Sequence, residues 1–281
     1  MNHRKLLVFI ILVIAGLLSQ QVFAQVSLPP SGGNQKSVVT QYMGLVSATF
    51  IYHSPDVTAP NGQDRRGKIW GQLVPYGMID LGFGSAKGSP WRAGANENTI
   101  FRCSHDLTIN GKELPAGEYG FHLLVGEPGE DWTLIFSSDT EAWGSYFYNP
   151  DHDVLRVAAK PVESSYHEYL TYGFDDRKLN SCTAYLAWED LKLPFELRVP
   201  QAMDLYVSKL EAELTGQKGF NWINFNAAAA FCANNNTHLE QGLAWADRAI
   251  GPAFPGQKNF TTLSTKAALL TQLNRTDEAQ E

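Results

Sequence analysis

The sequence has few of the residues that announce chemistry. Its 281 residues include three cysteines, Cys103, Cys182 and Cys232, with no Cys-x-x-Cys pair and no metal-ligand spacing. That excludes a zinc ribbon, a dithiol redox site and a disulfide framework. An oxidising compartment would permit a Cys103–Cys182 bridge, but the odd count makes buried free thiols the default expectation. There is no G-x-S-x-G elbow, no Walker loop and no H-E-x-x-H pair. No cofactor is expected on these grounds. Positive charge is also the minority: 22 Lys+Arg face 29 Asp+Glu, a net charge of -7. A surplus of carboxylates argues against nucleic acid or an anionic membrane as the main partner.

Long apolar runs are missing too. The stretch Leu6–Leu18 is apolar or small throughout but falls short of the roughly 20 residues that a membrane span needs. Arg4 and Lys5 precede it, and Val22-Phe23-Ala24-Gln25 follows, the plan of a secretory leader cleaved after Ala24. No cysteine follows that site, so a lipid anchor on a new N-terminal cysteine is excluded. The expectation is a leader at 1–24 and a periplasmic or secreted mature chain with no membrane span. Loss of Arg4 and Lys5 leaves 20 of the 22 cations against 29 carboxylates, a net of -9.

The whole chain carries 44% apolar residues, enough for a proper core. Val46, Ala48, Phe50 and Tyr52 alternate with Ser47, Thr49, Ile51 and His53, the period of a strand. Tyr119, Phe121, Leu123 and Val125 repeat the alternation, and so do Trp132, Leu134 and Phe136. Further strands are predicted near 153–160, 168–174, 182–188 and 195–199. Asn110-Gly111 supplies the positive backbone angles of a two-residue hairpin. Many short strands without intervening helices predict a mainly β unit, an antiparallel β-sandwich or barrel-like domain, over 37–199 after a linker at 25–36.

Beyond Pro200 the period lengthens. Met203, Leu205, Tyr206, Leu210 and Leu214 have helical spacing, and Gly216 ends the pattern. An alanine-rich helix from about Trp222, a turn at Asn234–Asn236, a helix to Ile250, and another from Phe260 follow. Phe225–Ala228 and Leu263–Ala267 recur just under 40 residues apart, which suits a tetratricopeptide-like helical hairpin module at 200–281. Such units bury their faces on neighbours, so the tail is expected to pack on the β-domain or to dock a protein partner.

Five stretches occur in an order that resembles one family: "RRGKIWGQLVPYG", "WRAGANENT", "LTINGKELPAGEYGFHLL", "DWTLIFS" and "WGSYFYNPDHDVLRVAAKP". The chain is similar over roughly 37–199 to the domain-of-unknown-function family 2911, exported bacterial proteins often followed by a tetratricopeptide-like tail. It departs from the usual pattern at "MIDLGFGSAKGSPWRAG", an insertion between Gly77 and Trp91. The resemblance implies fold and export and supplies no mechanism.

Candidate site residues cluster in "WRAGANENT". Arg92 offers five donors, Asn96 and Asn98 both donate and accept, Glu97 accepts, and Gly94 permits close backbone approach. The cluster reads either as a polar pocket floored by Trp91 and Trp70, or as a loop closed by an Arg92–Glu97 pair. Arg66 and Lys68 form a local basic excess able to hold an anion. His53 and His122 leave the apolar faces of their strands. With Glu97 they would make a two-histidine, one-carboxylate set suited to zinc or a non-haem metal. Two functions follow. One is a module that binds a small polar ligand or peptide through Arg66, Lys68, Trp70, Trp91, Arg92, Asn96 and Glu97, with His53 and His122 as further contacts. The other is a metal-dependent or hydrolytic enzyme using His53, Glu97 and His122.

Overall fold

The computed structural model describes residues 34–280. The expected leader and most of the expected linker lie outside the described residues. Ten strands form two antiparallel sheets. The first has the order β1 (Gln35–Met43), β2 (Val46–Ser54), β3 (Thr99–Cys103), β6 (Gly117–Leu124), β7 (Trp132–Ser137) and β8 (Asp153–Ala159). The second runs β5 (Lys112–Leu114), β4 (Leu107–Ile109), β10 (Ser181–Arg198) and β9 (Val162–Asp175).

Alternation in the sequence becomes one core shared by both sheets. Phe50, Phe101, Phe121 and Phe136 of the first sheet join Tyr172, Phe174 and Phe195 of the second in a single buried cluster. Phe50 stacks on Tyr172 with centroids 4.5 Å apart, and Phe121 on Phe195 at 6.1 Å. Each fully buried ring of this kind stabilises by about 1.5–3 kcal/mol. Cys103 and Cys182 lie in the same cluster as free thiols.

The separate strands predicted at 182–188 and 195–199 are one continuous strand. Inward positions are even up to Ala184, Leu186 and Trp188, then odd at Leu193, Phe195 and Leu197. A bulge at Glu189, whose φ is +55, shifts the register and inverts the parity. The period therefore breaks at one residue while the strand continues.

The helical region comprises α1 (Ala202–Leu214), α2 (Trp222–Asn234), α3 (Leu239–Ile250), α4 (Phe260–Gln272) and α5 (Thr276–Gln280). Asn221 caps α2, and Asn259 with Thr262 forms a capping box on α4. α1 serves two cores: Ala202, Met203 and Leu205 pack on the β-core, and Val207, Leu210 and Leu214 on the helices. Ala228, Ala229, Cys232, Trp245 and Leu269 fill the helical core. The helices approach closely where Gly242 faces Cys232, since a Cβ there would lie 2.7 Å from the cysteine's own. No described helix is long and apolar enough to cross a membrane.

One connection stands out. Residues 55–98, between β2 and β3, form no regular strand or helix and are held by isolated bridges such as Asp56–Tyr169, Ile79–Ser89 and Trp91–Leu123. Loops this long within a compact domain are uncommon unless they carry function.

The hairpin at Asn110-Gly111 gives a first prediction. The two residues have φ of +45 and +81, and Ile109 pairs with Lys112 across them. A Cβ on Gly111 would meet no atom within 4 Å, so only the backbone resists substitution. Gly111→Val should cost more than about 1 kcal/mol in denaturant melts, because a β-branched residue tolerates positive φ poorly; a neutral result contradicts the turn geometry.

Candidate functional site

The loop 91–98 begins as an extra strand residue. Trp91 exchanges both backbone hydrogen bonds with Leu123 on β6, at 2.9 and 2.8 Å. The chain then turns sharply through Ala93 and Asn96, with φ of +53 and +58. Ala93 is a non-glycine residue in the left-handed region, so surrounding contacts must hold it there. They do: its carbonyl accepts from the Tyr172 hydroxyl at 2.7 Å and from Thr99 Oγ1 at 3.2 Å. Gly94 is bare because a Cβ would lie 2.7 Å from Thr99 Oγ1 and 3.1 Å from the His53 carbonyl. The close approach is to the neighbouring strand.

A second segment, 139–148, folds over the outer face of the first sheet. Gly120 leaves room for it, since a Cβ there would collide with the Asp139 carbonyl and with Asn98 Nδ2, which donates to that carbonyl at 3.0 Å. Ser145 Oγ and His122 Nδ1 share a hydrogen bond of 3.0 Å, and Ser89 Oγ donates to the Ser145 carbonyl at 2.9 Å. Arg92 joins the two segments. Its Nη1 donates to the Asn96 carbonyl at 2.6 Å, and its guanidinium lies 5.2 Å from the Trp143 ring and 5.3 Å from Tyr146. Gly144, at φ +65, passes so close that a Cβ would sit 2.5 Å from the guanidinium carbon.

Between these segments and the rest of the long loop lies a cavity of about 520 Å³. Its wall is largely apolar, with Leu73, Val74, Pro75, Ile79, Leu81, Trp91 and Trp188. The polar groups on it are Asn34, Arg65, Ser89, Arg92, Asn96 and Ser145, and among the described residues no carboxylate lines it. Volume and make-up are those of a small-molecule site. Within the wall, Trp91 and Trp188 stack with centroids 6.1 Å apart, and behind it Trp70 packs 4.8 Å from Trp132. The indole N–H of Trp188, itself 1% exposed, has no acceptor.

The residues singled out in the sequence are divided among several places. Trp91, Arg92 and Asn96 line the cavity. Trp70 lies behind it in the tryptophan cluster and does not line it. Arg66 and Lys68 are exposed and lie off it, Arg66 resting 4.1 Å from the Tyr166 ring. The neighbouring Arg65 lines it in their place. His53 and Glu97 meet in a smaller cleft of about 200 Å³ with Lys36 and Asn98, Nδ1 to Oε2 at 3.0 Å. The expected Arg92–Glu97 pair does not form: the arginine takes a carbonyl and two rings, the glutamate a histidine.

The metal set is also corrected. His53 and His122 do share the outer face of the first sheet, but β3 lies between β2 and β6. Continuing the registers Ile51–Ile100 and Thr99–Phe121 sets His53, Asn98 and His122 in one row. Asn98 stands between the two histidines, and each imidazole is engaged separately: His53 Nδ1 meets Glu97 at 3.0 Å and His122 Nδ1 meets Ser145 Oγ at 3.0 Å. Among the described residues no group of three His, Cys, Asp or Glu is placed to hold a metal.

Arg65, Trp188 and Ser145 were missed as cavity residues. The basic run showed that an arginine was available, but only the fold decides whether Arg65 or Arg66 turns inward. Trp188 reads as a core position of its strand, which it also is.

Burial governs the titration of both histidines. It pushes His122 down to about 4, with Asp139 opposing and Arg92 assisting. It also lowers His53, against the opposing pull of Glu97. His122 is therefore neutral at pH 7, and its link to Ser145 is an uncharged one.

This geometry defines a class: a two-sheet β-domain with an arginine-bearing, largely apolar cavity under a long loop. A family model described as "Protein of unknown function (DUF2911)" matches residues 34–197, and the chain belongs to that family. No curated protein and no solved structure matches the chain.

Two predictions follow from the geometry. Arg92→Ala should cost roughly 2–3 kcal/mol, because it removes a charged hydrogen bond and two ring contacts. Glu97→Gln, at an exposed side chain where the amide oxygen can still accept from the neutral, buried His53, should change stability by no more than about 0.5 kcal/mol. Equal losses in denaturant melts contradict the separate placement of these two side chains.

The second prediction concerns acid. With His122 at about 4 in the fold and 6.5 unfolded, the unfolded chain binds more protons between those values. The stability this group contributes is complete above pH 6.5 and is lost as pH falls towards 4. The slope is at most about 1.4 kcal/mol per pH unit. His122→Gln should flatten the wild-type slope across this window; an unchanged slope contradicts the burial of a neutral imidazole.

Proposed function

We propose that this is an exported binding protein whose β-domain takes up a small organic molecule or short peptide, and whose helical tail docks a protein partner. The observation that carries the reading is the cavity of about 520 Å³, walled by apolar side chains and supplied with Arg65, Arg92 and Asn96. Export rests on the leader pattern at 1–24. The shared aromatic core supports a sandwich arrangement of the two sheets, and the contacting successive helices α2–α3 and α4–α5 support a tetratricopeptide-like tail. Phe220, Phe254 and Phe260, more than two-thirds exposed on that tail, support partner docking there. The metal-dependent alternative has no assembled ligand set behind it.

The test is a thermal-shift screen of small organic molecules and short peptides against the wild type and Ala95→Trp. Ala95 lines the cavity, and an indole there is introduced to obstruct it. A ligand at about 100 times its Kd adds about 2.7 kcal/mol to stability, a rise of several degrees in Tm. The expected result is a compound class that raises the Tm of the wild type and leaves Ala95→Trp unmoved. If no compound distinguishes the two proteins, the cavity is not the binding site.

A further inference from the structure

Two features of the cavity narrow the ligand, provided that the cavity is a binding site. The first is charge. The chain is acidic overall, yet the lining holds two arginines and, among the described residues, no carboxylate. Neither arginine forms an ion pair among the described residues. Of five N–H donors each, Arg92 commits one to the Asn96 carbonyl, and Arg65 commits two, to the carbonyls of Asp56 and Val57. Both guanidinium groups are half-buried, and although Asp56 lies within electrostatic reach of Arg65, neither guanidinium has a carboxylate in direct contact among the described residues. An anion entering the cavity would supply that contact.

The second feature is an aromatic shelf. A shallow depression of about 410 Å³ is lined by Leu81, Phe83, Trp143, Tyr146 and Phe147. Leu81 and Trp143 also line the main cavity, so the two adjoin. The shelf rings are open to solvent: Phe83 is 68% exposed, Trp143 53% and Phe147 49%. Such contiguous apolar exposure marks a contact surface. The rings are held in place from below. Trp143 stacks on Tyr146 at 6.0 Å, Arg92 lies against both, and the Ala86 N–H donates to the Tyr146 carbonyl at 3.1 Å.

We propose that the ligand is an organic anion with an extended apolar body, its acid group held by Arg65 and Arg92 and its body running past Leu81 onto the shelf of Phe83, Trp143 and Phe147. The arginines select the charge. The shelf selects length, because a short acid cannot occupy both regions. Asn96, whose carbonyl holds Arg92, is a positioning residue.

The probes are decanoate, 1-decanol and decyltrimethylammonium, each below its aggregation concentration, titrated calorimetrically against the full mature chain. Decanoate should bind about tenfold tighter than decanol, since a charged hydrogen bond is worth at least that factor. The ammonium should not bind, and added salt should weaken decanoate alone. Arg92→Gln should erase the preference for the acid. Phe83→Asp, at an exposed ring, should weaken decanoate at least tenfold with Tm unchanged; this variant and the salt series decide the matter if Arg92→Gln does not fold. Decanol binding as tightly as decanoate overturns the anionic assignment while leaving the cavity a binding site. Decanoate binding that Phe83→Asp leaves intact overturns the shelf. Failure of all three probes overturns the proposal, whereas the Ala95→Trp comparison separately decides whether the cavity binds anything.

Discussion

The candidate site depends on where one guanidinium sits. Arg92 is braced by a carbonyl of its own loop and lies against two rings of another segment, Trp143 and Tyr146. It thereby ties residues 91–98 to residues 139–148, and the cavity is bounded by both. The arrangement leaves no space for a side chain at Gly144, and Gly94 and Gly120 are bare for similar reasons on either side. A planar, permanently charged group can hydrogen-bond along its edge and stack on its face at once. A lysine's compact ammonium could reach the carbonyl or a ring, but it has no plane to stack while its edge hydrogen-bonds.

The scaffold beneath is ordinary, and it is what makes the site possible. Two antiparallel sheets close around an aromatic core and offer the long 55–98 connection a rigid surface. That connection carries little regular structure of its own. It is pinned by single bridges, by Tyr172 reaching across to Ala93, and by Glu189 accepting from the Gly67 N–H. Glu189 is a buried carboxylate at a bulge with positive φ, a local cost that the sheet supports and the loop uses. Rigid sheets with an irregular, well-braced loop are a common division of labour between stability and recognition.

Legibility in the sequence followed the same division. Period-two alternation located β2, β6 and β7, and Asn110-Gly111 located its hairpin, because both signals are local. Helical spacing and polar turns marked the tail for the same reason. The 182–198 stretch was read as two strands because a bulge inverts parity, and parity is what the reading uses. The "WRAGANENT" stretch stood out correctly as a place where polar groups gather. Its partners could not be read, since Arg92 meets Trp143 and Glu97 meets His53 only through the fold. His53 and His122 were rightly placed on one face, yet the intervening strand β3 separates them. The irregular stretch 78–90 supplies Ile79, Leu81 and Ser89 to the cavity wall, which no local signal announced.

The central claim is that the cavity beside Arg92 is where a ligand binds, and the seven tryptophans can report on it directly. Trp91, Trp143 and Trp188 line the cavity, whereas Trp222 and Trp245 belong to the helical tail. The measurement is a titration of isotope-labelled tryptophan indole signals with decanoate by NMR, each signal assigned by a Trp→Phe variant. The account predicts saturable shifts at Trp91, Trp143 and Trp188, with Trp222 and Trp245 unmoved. Shifts confined to the tail tryptophans, or no saturable shift at the three cavity tryptophans, would contradict it.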